Sequence, residues 1–314
     1  MEIILQLLLL VAGFVMLVKG ADWFVEGASK VAEKFGIPPL VVGLTIVAMG
    51  TSLPEAAVST SAALKGSAEI TIGNVLGSNI LNVLLILGIT SVIRPLKVQK
   101  STVKYEMPMV IGASVLLAVL GLFDGVVGRI EGVILLAGMV AYLWYLFQMS
   151  KKGQAVVEED TPTGKNDSLL KLLFLIVLGG IMIVLGSDIT VDAATALAKL
   201  FGMDERLIGL TIVAFGTSLP ELVTSATAAI KGKADIAIGN IVGSNLFNIL
   251  FVAGIAAVIT PVVYAPDFFL DSIICIAAAI LLWLCVLRKQ MLQRLGGVIL
   301  LAGYAGYFLY LMCA

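Results

Sequence analysis

The chain contains no histidine. That absence removes the commonest ligand of zinc and copper sites and the side chain that titrates nearest neutrality, so zinc chemistry and histidine-based proton relays are excluded. Charge is scarce: Asp, Glu, Lys and Arg make up 13% of the 314 residues, about half the usual share. The 20 basic and 21 acidic residues nearly cancel, which leaves no basic face for the counterion release that drives nucleic-acid binding. No GxxxxGK[ST] phosphate loop occurs, arguing against ATP hydrolysis in this chain. The three cysteines, Cys275, Cys285 and Cys313, have no CxxC spacing and read as inert thiols.

What is abundant is hydrocarbon. Apolar residues are 60% of the chain against roughly 45–50% in an average globular protein, and the mean hydropathy is +1.09. No single water-facing shell hides that much apolar surface, so a soluble enzyme is excluded and an all-α membrane protein is expected. A helix needs about 20 apolar residues to cross the hydrocarbon core. Ten transmembrane helices are predicted, at 3–19, 39–63, 69–93, 105–122, 127–149, 169–187, 206–230, 235–260, 268–287 and 294–312. The first and sixth are expected to run on through the amphipathic stretches 21–35 and 187–201. The N-terminal run lacks a basic start and a small-residue cleavage site and reads as retained.

Lysine and arginine set the expected orientation, because cytoplasmic loops carry the excess. With ten spans, sixteen of the 20 basic residues fall on one side and four (Lys65, Arg129, Lys199, Arg206) on the other. A multi-pass inner-membrane protein with both termini extracytoplasmic is expected, the linker 150–168 being cytoplasmic. The linker's Glu158-Glu159-Asp160 run reads as a solvated acidic loop.

Residues 42–88 laid over 208–254, at a constant offset of 166 and without a gap, are identical at 28 of 47 positions. The matches include VGLTIVAMGTSLPE with IGLTIVAFGTSLPE, and IGNVLGSNILN with IGNIVGSNLFN. The chain therefore reads as a duplication, 1–149 and 169–314, with five helices in each part. An odd number of spans makes the second copy enter the membrane from the opposite side, giving two inverted five-helix repeats, an arrangement that recurs in secondary transporters with sites near the midplane. Pro54 and Pro220 lack an amide hydrogen and clash with the preceding turn. The backbone carbonyls they free must line an enclosed cavity or coordinate an ion.

Glu55 and Glu221 lie about mid-span, where no Lys or Arg stands at matching depth. An ionised carboxylate there is expensive, and a bound cation is the remaining partner. Thr51 and Ser52 precede Glu55 by one turn, as Thr217 and Ser218 precede Glu221; the facing spans add Ser78 with Asn82 and Ser244 with Asn248, each pair four residues apart and on one helical face. All of these groups offer oxygen. Such a set suits a hard cation, calcium or sodium, and suits softer metals poorly.

The doubled GTSLPE and GN-x-x-GSN-x-x-N segments resemble the α-repeats of the calcium/cation antiporter superfamily, in its sodium/calcium exchanger branch and prokaryotic relatives. The resemblance spans essentially the whole chain. It implies exchange of calcium for sodium by alternating access, with Glu55 and Glu221 as central calcium ligands. It also implies overlapping sodium sites from Thr51, Ser52, Ser78, Asn82, Thr217, Ser218, Ser244 and Asn248, with carbonyls near Ala48 and Ala214. Transported Ca2+ and Na+ are then the only ligands, with no cofactor, no enzyme activity and no obligate protein partner. Potassium-dependent members carry Asp where this chain has Asn248, which argues against potassium dependence. Two carboxylates balance one calcium or two sodiums; a third sodium, as the family implies, makes the cycle electrogenic. Open alternatives are a sodium/proton or potassium-dependent sodium/calcium antiporter and a cation channel; an intramembrane enzyme lacks a nucleophile with a base.

Overall fold

The computed structural model describes residues 2–65, 69–157, 168–202, 214–266 and 268–313. It is helical almost throughout. Helix α1 spans Glu2–Phe35. Gly36, at φ 60°, and the pair Pro38-Pro39 end it and start the next helix, because the glycine accepts a left-handed conformation and the prolines cannot continue a helix. Helices α2 (Pro39–Thr51) and α3 (Leu53–Leu64) form a pair bent by 48°. The bend sits where Pro54 has no amide to give back to the preceding turn. Then follow α4 (Ile70–Ile93) and α5 (Thr102–Asp124), α6 (Arg129–Val157), α7 (Leu169–Leu200) and α8 (Leu219–Ile230). The last three are α9 (Ala234–Ile259), α10 (Phe268–Leu287) and α11 (Arg294–Cys313).

Eight of these helices are long and apolar enough to cross a membrane, and the bent α2/α3 pair makes a ninth. The expected span at 206–230 is described only from the short turn Ala214–Gly216 onward and in α8; its first part lies outside the described residues. Expected extensions of the first and sixth spans are present, since α1 and α7 run to Phe35 and Leu200. Helix α6 continues to Val157, so the first eight residues of the expected linker are helical. The acidic run 158–160 lies outside the described residues.

Burial sorts the helices into layers. The most apolar windows of α4 and α9 are 72% and 83% buried, those of α1 and α7 only 17% and 22%. Helices α4 and α9 therefore form the centre, and α1 and α7 lie against it as an outer pair with Leu8, Val11, Leu170 and Phe174 exposed. Only lipid covers such faces at no cost. The outer pair crosses on glycine: a Cβ on Gly20 would stand 2.8 Å from the Gly179 carbonyl oxygen, and one on Gly13 2.9 Å from that of Gly186. Small residues of this kind let membrane helices meet backbone to backbone.

Two short antiparallel ladders tie loops together. β1 (Leu96–Lys97) pairs with β4 (Met291–Leu292), and β2 (Val126–Val127) with β3 (Val262–Val263). The α4–α5 loop thus shares a face of the molecule with the α10–α11 loop. The α5–α6 loop shares the opposite face with the α9–α10 loop.

Candidate functional site

Both glutamates of the doubled motif sit in the first turn of a helix whose second residue is proline: Glu55 in α3 and Glu221 in α8. Proline suits that position because its missing amide would have no helical partner there. Glu55 is 1% exposed and Glu221 0%. Carboxylates at such depth cost about 2.5–3.5 kcal/mol each even on the mildest membrane scale, so something must offset them.

Each glutamate is gripped from the other copy of the motif. The Ser52 hydroxyl donates to Glu221 Oε1 at 2.8 Å, and the Ser218 hydroxyl donates to Glu55 Oε1 at 3.4 Å. Ser244, on α9, also donates to Glu221 Oε1 at 3.4 Å. These crossed bonds bring the two carboxyl groups to one place. They occupy one oxygen of each group; Glu55 Oε2 and Glu221 Oε2 are buried and have no hydrogen-bond partner.

Asn82 and Asn248 complete the pattern. Both are fully buried, and each begins a π-helical turn, Asn82–Ile86 in α4 and Asn248–Ala253 in α9. Such turns widen the backbone and are frequent at functional sites. Their amide nitrogens are used, Asn82 Nδ2 donating to Asn245 Oδ1 at 2.9 Å and Asn248 Nδ2 to Asn79 Oδ1 at 3.3 Å. Their oxygens are not: Asn82 Oδ1 and Asn248 Oδ1 are buried without a partner. Two carboxylate and two amide oxygens at equivalent positions of the duplication are thus left unsatisfied. An unpartnered buried acceptor costs about 1–3 kcal/mol, so these four oxygens leave a cost that nothing among the described residues offsets.

Thr51 is buried and donates to Asn240 Oδ1 at 3.0 Å, whereas Thr217 is half-buried. Ser78 is buried one turn before Asn82. The Ala48 carbonyl accepts the Ser52 amide at 3.1 Å and the Thr51 and Ser244 hydroxyls at 3.3 Å each. Ala214 begins the turn Ala214–Gly216; the carbonyl that Pro220 frees one turn back, Gly216 O, accepts the Ser187 hydroxyl from α7 at 2.9 Å. Among the described residues no three of His, Cys, Asp and Glu come together, so the site's charge rests on the two glutamates.

Four residues inside the quoted motifs have roles that residue type alone did not assign. Asn74 Nδ2 donates to the Glu55 carbonyl at 3.2 Å and to Ser59 Oγ at 2.9 Å, and Asn240 Nδ2 does the same to Glu221 at 3.5 Å and Ser225 at 2.9 Å. Asn79 and Asn245 join α4 to α9. Their doubling at the same offset was the available signal. Glu106 was also missed: near the start of α5 it is fully buried, and accepts a hydrogen bond from the Tyr145 hydroxyl. The acids of the amphipathic end of α1 are ion-paired, Asp22 with Lys231 at 2.6 Å and Glu26 with Lys30 at 2.8 Å. Cys275 and Cys285 are free thiols, buried and half-buried.

The model of the sodium/calcium exchanger protein family matches residues 5–148 and 171–313. The chain belongs to the sodium/calcium exchanger family. Members of this family are membrane antiporters, and the chain is accordingly a prokaryotic-type exchanger-like transporter rather than an enzyme. It is 41% identical to the putative antiporter CaxA of Alkalimonas amylolytica, over 94% of this chain and 95% of that protein. It is 31% identical to the sodium/calcium exchanger MaX1 of Methanosarcina acetivorans, over 98% and 99% of the two chains. Among solved structures it is similar to the sodium-calcium exchanger NCX_Mj soaked with 2.5 mM Na+ and 10 mM Sr2+, with TM-score 0.83, 32% identity and coverage of 96% and 97%.

Proposed function

We propose that this exchanger moves calcium in one direction and sodium in the other through a single central site, by alternating access. The four unpartnered oxygens of Glu55, Glu221, Asn82 and Asn248 carry the reading. They are hard ligands around two negative charges, which balance one calcium or two sodiums. Thr51, Ser52, Ser78, Thr217, Ser218 and Ser244, with the Ala48 and Ala214 carbonyls, supply the neutral oxygens that sodium needs when calcium leaves. Calcium and sodium cannot hold the same carboxylates together. An empty pair of close carboxylates repels itself, so only loaded states reorient and the fluxes are coupled.

The ladders support ten spans in two inverted halves, 1–149 and 169–314. They put the loops after α4 and α10 on one face and the loops after α5 and α9 on the other, which requires one crossing between α7 and α9. The apolar stretch 206–230 is the part of the sequence between them that is long enough for it. The excess of Lys and Arg supports termini outside and the linker 150–168 inside.

The test is radioactive calcium uptake into vesicles preloaded with sodium, potassium or choline. Uptake driven by internal sodium alone is expected. Equal uptake in choline overturns the exchange, and sodium-driven pH change without calcium flux assigns the sodium/proton alternative.

A further inference from the structure

We propose that Asn79 and Asn245 are positioning residues that orient the side-chain amides of Asn82 and Asn248, turning their oxygens toward the transported ion. The proposal rests on the central-site reading above and assigns a task to residues outside the expected ligand set.

The argument starts from two backbone carbonyls, whose polarity cannot reverse. The Asn79 carbonyl faces the Asn245 side chain and accepts its Nδ2 at 3.3 Å. Only the NH2 end of an amide can face a carbonyl, so the Asn245 side chain has one orientation. Its Oδ1 therefore points to Asn82, which must present a donor, and Asn82 Nδ2 is there at 2.9 Å. The Asn82 amide has no freedom left. Its Oδ1 is the end turned away, buried and unpartnered.

The second half repeats the sequence of constraints. The Asn245 carbonyl accepts Asn79 Nδ2 at 3.2 Å, Asn79 Oδ1 accepts Asn248 Nδ2 at 3.3 Å, and Asn248 Oδ1 is left buried without a partner. Each amide is oriented by a residue on the opposite central helix.

This orientation matters because an amide is nearly the same shape either way round. Released, the Asn82 or Asn248 side chain can turn its NH2 toward the site, and a cation there meets a positive dipole where it needs an acceptor. Residues behind metal ligands typically change metal affinity 10–100-fold when removed.

A carboxylate has no wrong way round, and the experiment uses that. Calcium binding to the full-length protein in detergent is measured by titration calorimetry for Asn245→Ala, Asn82→Asp, Asn248→Asp and the double variants, with ion-free thermal unfolding as the check on folding. Asn245→Ala is expected to weaken calcium binding at least 10-fold in the wild-type background. With Asn82→Asp the same change should cost less than about 3-fold, while with Asn248→Asp it should cost the full amount. Asn79→Ala gives the mirror result, relieved by Asn248→Asp and not by Asn82→Asp. Equal losses in all backgrounds, or relief by either aspartate, overturn the positioning role and leave the ion site standing. Should Asn245→Ala fail to fold, the Asn79→Ala arm decides alone, and Asn245→Ser repeats the first. Absence of calcium binding in the wild type overturns the site and the positioning role together.

Discussion

At the contact between α4 and α9, each half of the chain gives the other the same bonds: Asn79 to Asn245 and back, Asn82 to Asn245, Asn248 to Asn79. Further out the equivalence lapses. Asp22 is paired with Lys231, whereas Asp188 and Lys65, each exactly one repeat offset away from these, have no ion-pair partner among the described residues. Thr51 is buried against Asn240 while Thr217 is only half-buried. The α9 glycines Gly239 and Gly243 pack closely on α2 at Gly43, Leu44 and Ala48; the segment that would mirror this part of α2, 209–213, lies outside the described residues. The centre holds the unsatisfied oxygens and is symmetric, and the rim is not.

The largest expected effect comes from the symmetric centre. Glu55→Gln and Glu221→Gln should each reduce sodium-driven calcium uptake at least ~100-fold, because one carboxylate cannot neutralise a divalent ion; ion-free thermal unfolding should show both variants folded. Residual transport of more than a few per cent in one of them would break the equivalence of the halves.

Next is the outer pair. A larger side chain at the glycine crossing meets backbone atoms and, at Gly20, the Met182 Cβ as well, none of which can swing aside, so Gly20→Val or Gly179→Val should lower stability by about 1–3 kcal/mol, read as a fall in the unfolding midpoint in detergent. Unchanged midpoints would show that α1 and α7 separate without cost.

The contact between α9 and α2 comes after it. A Cβ on Gly243 would stand 2.7 Å from the Ala48 Cβ and the Leu44 carbonyl oxygen. Gly243→Ala should therefore lower the unfolding midpoint, by less than the bulkier changes at the outer crossing. An unchanged midpoint would show that α9 and α2 do not depend on this close approach.

The smallest effect is electrostatic. The Asp22–Lys231 pair is partly exposed, and such pairs contribute at most about 1 kcal/mol. Asp22→Asn should raise hydrogen exchange in the peptide covering Gly43–Val47 by about two- to five-fold, and Asp188→Asn should leave it unchanged or lower it. The same increase from both would end the distinction between paired and unpaired rims.

Much of this was legible in the residues. The duplication, the paired Glu55 and Glu221, and the hydroxyl and amide oxygens around them follow from one constant offset, because identical short segments build identical local surfaces. The bend after Thr51 follows from Pro54. Other features were not legible. Glu106 lies only a few residues from Lys104 and reads as an interfacial acid; its burial depends on Tyr145, 39 positions later. Asp22 looks free in the sequence because its partner, Lys231, belongs to the other half. The helical start of the linker escapes composition, since Lys151, Lys152 and Gln154 suit an exposed helix as well as a loop.

From the sequence alone came the membrane, the repeat and the kinds of atom available to an ion, since hydropathy, spacing and side-chain chemistry are properties of residues. Tertiary structure alone decided which of those atoms remain unpaired. A hydrogen bond has a direction: the Asn79 and Asn245 amides take theirs from a backbone carbonyl on the facing helix, 166 residues away, and pass it on to Asn248 and Asn82, a relation that no local pattern specifies.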